Sequence, residues 1–363
     1  MATLILEDGT VMTAKSFGAS REVFGEIVFN TSMAGYQEIL TDPSYANQII
    51  VMTYPEIGNY GINDDDFESL SPALKALIVK EYCKNESHYK STKKLGEYLK
   101  ERNVAALEGV DTRTLTKKIR EAGTMNCFIT PRDLSEYEIK QKIEETKNYK
   151  PNPDVVFDVT TRVMYTRGEG NPIKLAFIDY GAKYGIIKSL VNRGCEVRVY
   201  PANASAQSIL DGNFDAVFLS NGPGDPKDCI QEIETIKKLA GKLPIFGICL
   251  GYQLLSIVFG AKTYKLKYGH RGANHPVINL ETNKVMMSSQ NHGYAVDTNT
   301  LSEIMTPTYK NLNDDTLEGF KIDSFKVHAV QFHPEAAPGP NDAAIIFDEW
   351  IELMKKYKKE REQ

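Results

Sequence analysis

The chain has 363 residues, more than one average domain and comfortable for two; hydrophobic residues at 42% and charged residues at 25% build a core without disulfide help. A net charge of -5 gives neither the basic surface of a nucleic-acid binder nor the acidity of a disordered chain. The cysteines Cys83, Cys127, Cys195, Cys229 and Cys249 are odd in number and contain no C-x-x-C pair, which argues against a disulfide framework or a thiolate zinc site.

The N-terminus carries Glu7 and Asp8 and no cationic stretch, so it does not read as a signal peptide. No uncharged apolar run reaches membrane-spanning length, and a cytoplasmic protein is expected. Glu26 to Asn30 and Gln48 to Tyr54 read as strands, bounded by turn-rich segments such as Thr41-Asp-Pro-Ser-Tyr45. Helices are expected from Ser91 to Arg102, from Thr112 to Ala122 with a stop at Gly123, and from a capping box at Ser135 and Glu138 to about Asn148. These make residues 1–150 a mixed α+β domain. Residues 151–172, with Pro151, Pro153 and Arg167-Gly-Glu-Gly-Asn-Pro172, read as a linker.

From residue 173 to 363 strands alternate with helices. Leu175 to Asp179, Glu196 to Tyr200, Asp215 to Leu219 and Leu243 to Ile248 are strands; Tyr184 to Asn192, a segment ending near Ala240 and one starting near Tyr252 are helices. The alternation predicts a doubly wound, mostly parallel sheet, in which ligands collect at the carboxyl ends of strands. A last helix from about Asn341 carries an apolar stripe, Ile346, Trp350, Ile351, Met354 and Tyr357, and its Lys-rich end is expected to fray.

Three segments carry chemistry. Gly247-Ile-Cys-Leu-Gly251 joins a strand to a helix in the G-x-nucleophile-x-G pattern. The glycines permit a sharp turn, and the helix N-terminus favours thiolate at Cys249. The second is Val327-His-Ala-Val-Gln-Phe-His-Pro-Glu335, an apolar strand ending in polar residues. His333 and Glu335 are two apart, so on extended backbone they share a face, and a base oriented by a carboxylate is what a thiol nucleophile needs. The third is Asn221-Gly-Pro-Gly-Asp225, whose backbone N–H groups can face an oxyanion; it lacks the spacing of a nucleotide phosphate loop.

These segments, in this spacing, resemble those of class I triad glutamine amidotransferases. The whole chain is similar, more specifically, to the small, glutaminase subunit of carbamoyl-phosphate synthetase. Phe24-Gly-Glu-Ile-Val-Phe-Asn-Thr-Ser-Met-Ala-Gly-Tyr-Gln-Glu-Ile-Leu-Thr-Asp-Pro-Ser-Tyr45 carries that resemblance, supported by Tyr54-Pro-Glu-Ile-Gly-Asn59, Val110-Asp-Thr-Arg-Thr114, Gly269-His-Arg-Gly-Ala-Asn-His-Pro276 and Gln290-Asn-His-Gly-Tyr294. The resemblance implies that Cys249 attacks glutamine, His333 is base and then acid, and Glu335 orients it. It implies oxyanion donors at Gly222 and Leu250, and glutamine contacts at Gly224, Gln253, Asn291, Gly293, Tyr294 and, from the N-terminal domain, Ser44. Tyr252 stands where many relatives have His.

The resemblance further implies a large synthetase subunit as heterodimer partner, docked through residues 1–150. That subunit would hold ATP and a divalent cation, and this chain no cofactor. The product would serve arginine or pyrimidine biosynthesis. No metal is expected at His270, His275 and His292, because carboxylate and thiolate partners are missing at zinc spacing. Two competing readings are an amidotransferase for another acceptor, against which the N-terminal signature argues, and a catalytically dead docking subunit, against which Cys249, His333 and Glu335 argue.

Overall fold

The computed structural model describes residues 1–363, which form two compact units, Met1–Asn152 and Pro153–Gln363. In the first, strands Ala2–Leu6, Val11–Ser16, Ala105–Glu108, Ala76–Ile78, Gln48–Met52, Val23–Asn30 and Met125–Thr130 close, in that spatial order, into a barrel. Closure removes open sheet edges. Gly25 allows a close approach of chain segments: a Cβ there would lie 2.9 Å from the Asn47 carbonyl. Apolar residues such as Val28, Ile50, Leu77 and Ala106 pack against Leu95, Tyr98 and Leu99 of the helix Leu95–Glu101.

Two helix boundaries follow their local signals. Asp111 caps Thr112–Ala122, which stops at Gly123 (φ 102°). Ser135 and Glu138 form the expected reciprocal capping box of Glu136–Asn148. The helix expected from Ser91 begins only at Leu95, because Thr92 and Lys93 are drawn into backbone bonds with Ile62. Tertiary pairing outcompetes a marginal first turn there.

The second unit is built on a ten-stranded sheet. Its centre is the expected doubly wound parallel core: Cys195–Pro201, Ile173–Asp179, Ala216–Leu219, Ile245–Ile248 and Val327–Val330 run side by side in parallel. Helices Ile230–Leu239 and Leu250–Val258 cover one face; Tyr184–Val191 and Ile345–Glu362 cover the other. Beyond Val327–Val330 the sheet continues antiparallel through Leu317–Ile322, Thr306–Asn311, Thr263–Asn279 and Val285–Val296.

Residues 151–172, expected as a linker, contain the helix Val155–Val159 and the edge strand Tyr165–Arg167, which pairs with Cys195–Pro201. The Lys-rich end of the last helix, expected to fray, is helical and tied to the domain by ion pairs. It remains helical to Glu362, with Lys358 Nζ 3.0 Å and Arg361 Nη2 2.9 Å from the carboxylate of buried Asp215. No helix is long and apolar enough to cross a membrane.

Candidate active site

Four neighbouring parallel strands release their chemistry at the same end of the sheet. Ile178 pairs with Leu219, Leu219 with Gly247, and Ile248 with Val330. The residues that follow are therefore brought together: Lys183, Asn221 to Gly224, Cys249, and His333 with Glu335.

Cys249 is the turn between Ile245–Ile248 and Leu250–Val258. Its backbone lies at φ 53°, ψ -103°, a region that side-chain-bearing residues rarely occupy. Bonds from Cys249 N to Val330 O (2.9 Å) and from Gly251 N to Ser220 O (3.0 Å) hold it there. A Cβ on Gly251 would stand 2.5 Å from the Leu219 carbonyl, and one on Gly247 2.9 Å from the Gly251 carbonyl carbon. The two glycines thus let strand and helix meet closely enough to force the elbow. The Cys249 side chain is 1% exposed, and its thiol approaches the Asn291 carbonyl at 3.7 Å.

His333 is fixed through its own backbone, donating N–H to Ser289 O at 2.9 Å. Its Nδ1 lies 2.6 Å from Glu335 Oε1. Nε2 is buried without a closed hydrogen bond, on the ring edge left for Cys249, whose thiol is among the groups that stabilise the ring's protonated form. Burial disfavours the imidazolium, but the Glu335 charge outweighs it and holds the His333 pKa well above the usual histidine range, with Lys183 opposing.

Lys183 is the residue the motifs did not reveal. Buried at 2% exposure, it donates Nζ–H to Glu335 Oε1 at 2.8 Å and to the Ala336 carbonyl at 3.0 Å. Burial pushes the Glu335 carboxyl up, yet Lys183 first and His333 second hold it well below the usual range. Glu335 is therefore a carboxylate shared between base and ammonium. The turn carrying Lys183 is shaped by Asp179, whose Oδ1 accepts from Gly181 N at 2.8 Å and Ala182 N at 2.7 Å. Asn221 Oδ1 accepts the Lys183 backbone N–H at 3.1 Å. The available signal was a Gly-containing turn with a cation, Gly181-Ala-Lys183, at the carboxyl end of a parallel strand.

Leu250 opens a helix, so its N–H has no partner within that helix. Gly222 sits opposite, with no room for a side chain: a Cβ would be 2.4 Å from Tyr180 O and 2.7 Å from Leu250 Cδ2. Gly224 has φ 94° and lies against Val155. Gln253, one turn after Cys249, donates its amide N–H groups to Tyr294 O at 3.0 Å and Gln331 Oε1 at 2.9 Å, which orients the rest of the amide. Asn291, Gly293 and Tyr294 lie on Val285–Val296. Tyr252 packs into the core on Phe320 and donates its hydroxyl to Leu317 O at 3.0 Å. Ser44 belongs to the first unit, buried in the turn Pro43–Tyr45 that Asp42 caps.

Two of the three histidines at which no metal is expected, His270 and His292, have carboxylates beside them, contrary to the spacing argument. Ligand atoms of His270, His292 and Glu318 lie within 4.8 Å of one another, and Asp314 adjoins them. Asp314 in the turn after Thr306–Asn311 and Glu318 on the strand Leu317–Ile322 reach them through antiparallel pairing, a proximity that spacing along the chain does not display. Both nitrogens of His270 and of His292 already have hydrogen-bond partners.

Residues 4–129 match the carbamoyl-phosphate synthase small chain, CPSase domain, and residues 176–353 match glutamine amidotransferase class-I. The carbamoyl phosphate synthase pyrimidine-specific small chain of Bacillus subtilis (strain 168) is 46% identical over 359 residues, 99% of this chain and 97% of that one. The carbamoyl phosphate synthase small chain of Clostridium perfringens (strain 13 / Type A) is 49% identical over 351 residues, 96% of this chain and 98% of its own. With an elbow cysteine, a carboxylate-oriented histidine and relatives similar from end to end, the chain belongs to the carbamoyl phosphate synthase small-chain family.

Proposed function

We propose that this chain hydrolyses L-glutamine to glutamate and ammonia, and that a large synthetase subunit uses the ammonia to make carbamoyl phosphate from bicarbonate and ATP. The observation that carries the reading is Cys249 on a strained elbow with His333, Glu335 and Lys183 assembled beside it. The Cys249 thiolate adds to the side-chain carboxamide of glutamine. The tetrahedral oxyanion is held by the N–H groups of Gly222 and Leu250. His333, oriented by Glu335, gives its proton to the departing ammonia, leaving a thioester on Cys249. Water, deprotonated by the same ring, attacks the thioester and releases glutamate and the thiolate.

Gly224, Gln253, Asn291, Gly293 and Tyr294 line the glutamine pocket in this reading. ATP and its divalent cation belong to the large subunit, which pairs with this chain, and the first unit supplies the docking surface. The test is Cys249→Ser in the complex of both subunits. Glutamine-dependent synthesis is expected to disappear while synthesis from free ammonia persists; glutamine-dependent synthesis that survives the substitution overturns the reading.

A further inference from the structure

The strand Val285–Val296 stands behind the triad. Its Ser289 O accepts from His333 N, and the Cys249 thiol approaches its Asn291 O. Side chains alternate along a strand, so Gln290 and His292 project to the face opposite Ser289 and Asn291. There they meet His270 of Thr263–Asn279 and Glu318 of Leu317–Ile322, and all four side chains are buried. Their inner atoms converge. His270 Nδ1 is 3.0 Å from Gln290 Oε1 and 3.6 Å from Glu318 Oε1, and His292 Nε2 is 2.9 Å from Gln290 Oε1. The ligand atoms of His270, His292 and Glu318 all lie within 4.8 Å of one another. The proposed mechanism uses none of these groups.

The outer side of each donor is fixed by a partner. His270 Nε2–H donates to Asp314 Oδ2 and His292 Nδ1–H to the Tyr294 carbonyl, both at 2.8 Å. A carboxylate or backbone carbonyl on the far nitrogen is the usual support of a metal-bound histidine. Gln290 Nε2 lies 3.3 Å from Ser288 Oγ, and Asn311 Nδ2–H donates to Glu318 Oε1 at 3.0 Å. Glu318 Oε2 is buried without a hydrogen-bond partner. With the outer N–H groups committed, His270 Nδ1, His292 Nε2 and Gln290 Oε1 turn lone pairs toward one point, with the Glu318 charge beside it. Each ring nitrogen has a neighbour at hydrogen-bond distance, yet protons alone do not satisfy the set. A proton on His270 Nδ1 serves Gln290 and Glu318 but leaves His292 Nε2 and Gln290 Oε1 lone pair against lone pair. Turning the Gln290 amide over gives both rings a donor, but His270 is then neutral and the buried Glu318 carboxylate has no countercharge in the set. A divalent cation satisfies all four groups together. Metal bonds of about 2.0–2.2 Å to nitrogen and oxygen hold adjacent ligands about 2.8–3.6 Å apart, the spacing found here.

We propose that His270 Nδ1, His292 Nε2, Gln290 Oε1 and Glu318 bind a divalent first-row metal ion that clamps three antiparallel strands together behind the triad. Two imidazoles, a carboxylate and an amide oxygen suit zinc best. Spacing along the chain argued against a metal at these histidines; the fold supplies the carboxylate that was missing. The ion lies on the face of Val285–Val296 turned away from Cys249, so its role is structural and it touches no reacting atom.

The experiment uses the full chain, stripped of metal with a chelator and then equilibrated with zinc chloride. Bound zinc is counted by elemental analysis, and affinity is measured by competition with a chromophoric chelator. About one zinc per chain is expected, with a raised unfolding temperature. His270→Ala is expected to lose the ion. Asp314→Ala removes only the support of His270, at a side chain 38% exposed, and is expected to weaken zinc affinity about 10–100-fold. Cys249→Ser dismantles the other thiol and imidazole pair that zinc could choose, and is expected to keep the full complement of the ion. If His270→Ala does not fold by circular dichroism, Asp314→Ala is read alone. A wild-type chain that takes up no zinc overturns the proposal, as does unchanged affinity in a folded His270→Ala or Asp314→Ala variant. Loss of the ion in Cys249→Ser also overturns it, because the ion then sits on the triad.

Discussion

Glu335 shows how much one buried residue can be asked to do. Its carboxylate accepts from His333 and from Lys183 on the same oxygen, and all three side chains are at most 2% exposed. Pairing two charges in the interior contributes little net stability, but removing one partner leaves the other uncompensated. Lys183→Met is therefore expected to destabilise the second unit by about 3–5 kcal/mol, measured by denaturant unfolding. It should also lower glutaminase activity, since Glu335 then faces His333 without its second cation and the orientation of the ring loosens. An unfolding midpoint equal to wild type would show that Glu335 has another source of compensation.

At the scale of elements, the decisive contact is strand against helix at the elbow. Gly251 lies where the first turn of Leu250–Val258 crosses Ala216–Leu219, and a methyl group there would sit 2.5 Å from a backbone carbonyl that cannot move aside. Gly251→Ala must push the helix away from the sheet. We expect a loss of about 1–3 kcal/mol in stability, the usual cost of overpacking, together with a larger loss of glutaminase turnover. The reason is that displacement of the helix moves the Leu250 N–H and relaxes the strained backbone of Cys249. Turnover within two-fold of wild type would mean that the elbow tolerates a shift the geometry does not allow. The antiparallel strands are the other element-scale feature. They supply the histidine and carboxylate cluster behind Val285–Val296 and the Tyr294 carbonyl that accepts from Gln253.

At the scale of the molecule, the chain divides its work between units. The first is a closed barrel with its own apolar core, and no counterpart of the Cys249, His333 and Glu335 array lies in it. A chain lacking residues 1–152 is expected not to co-purify with the large subunit, while circular dichroism shows the second unit folded. Recovery of the complex from that truncated chain would sink the docking proposal.

Much of this was legible before any coordinates. The elbow pattern around Cys249 is local, because two glycines and an apolar strand specify a sharp turn within a few residues. The pair His333 and Glu335 is local too, as are the capping box at Ser135 and the stop at Gly123. The alternation of strands and helices identified the parallel core, since side-chain periodicity reports burial directly. What periodicity does not report is pairing between distant segments. That is why Lys183 went unnoticed, why the start of the helix at Leu95 was misplaced, and why the segment expected as a linker carries a strand. It is also why Asp314 and Glu318 were not expected beside His270 and His292. The sequence by itself determined which residues have the chemistry to be nucleophile, base and orienting acid. Only the tertiary structure decided which charges surround them, because the parallel register of four strand ends brings Lys183 to Glu335, 152 positions away in the chain, and electrostatics in a buried site depends on distance in space.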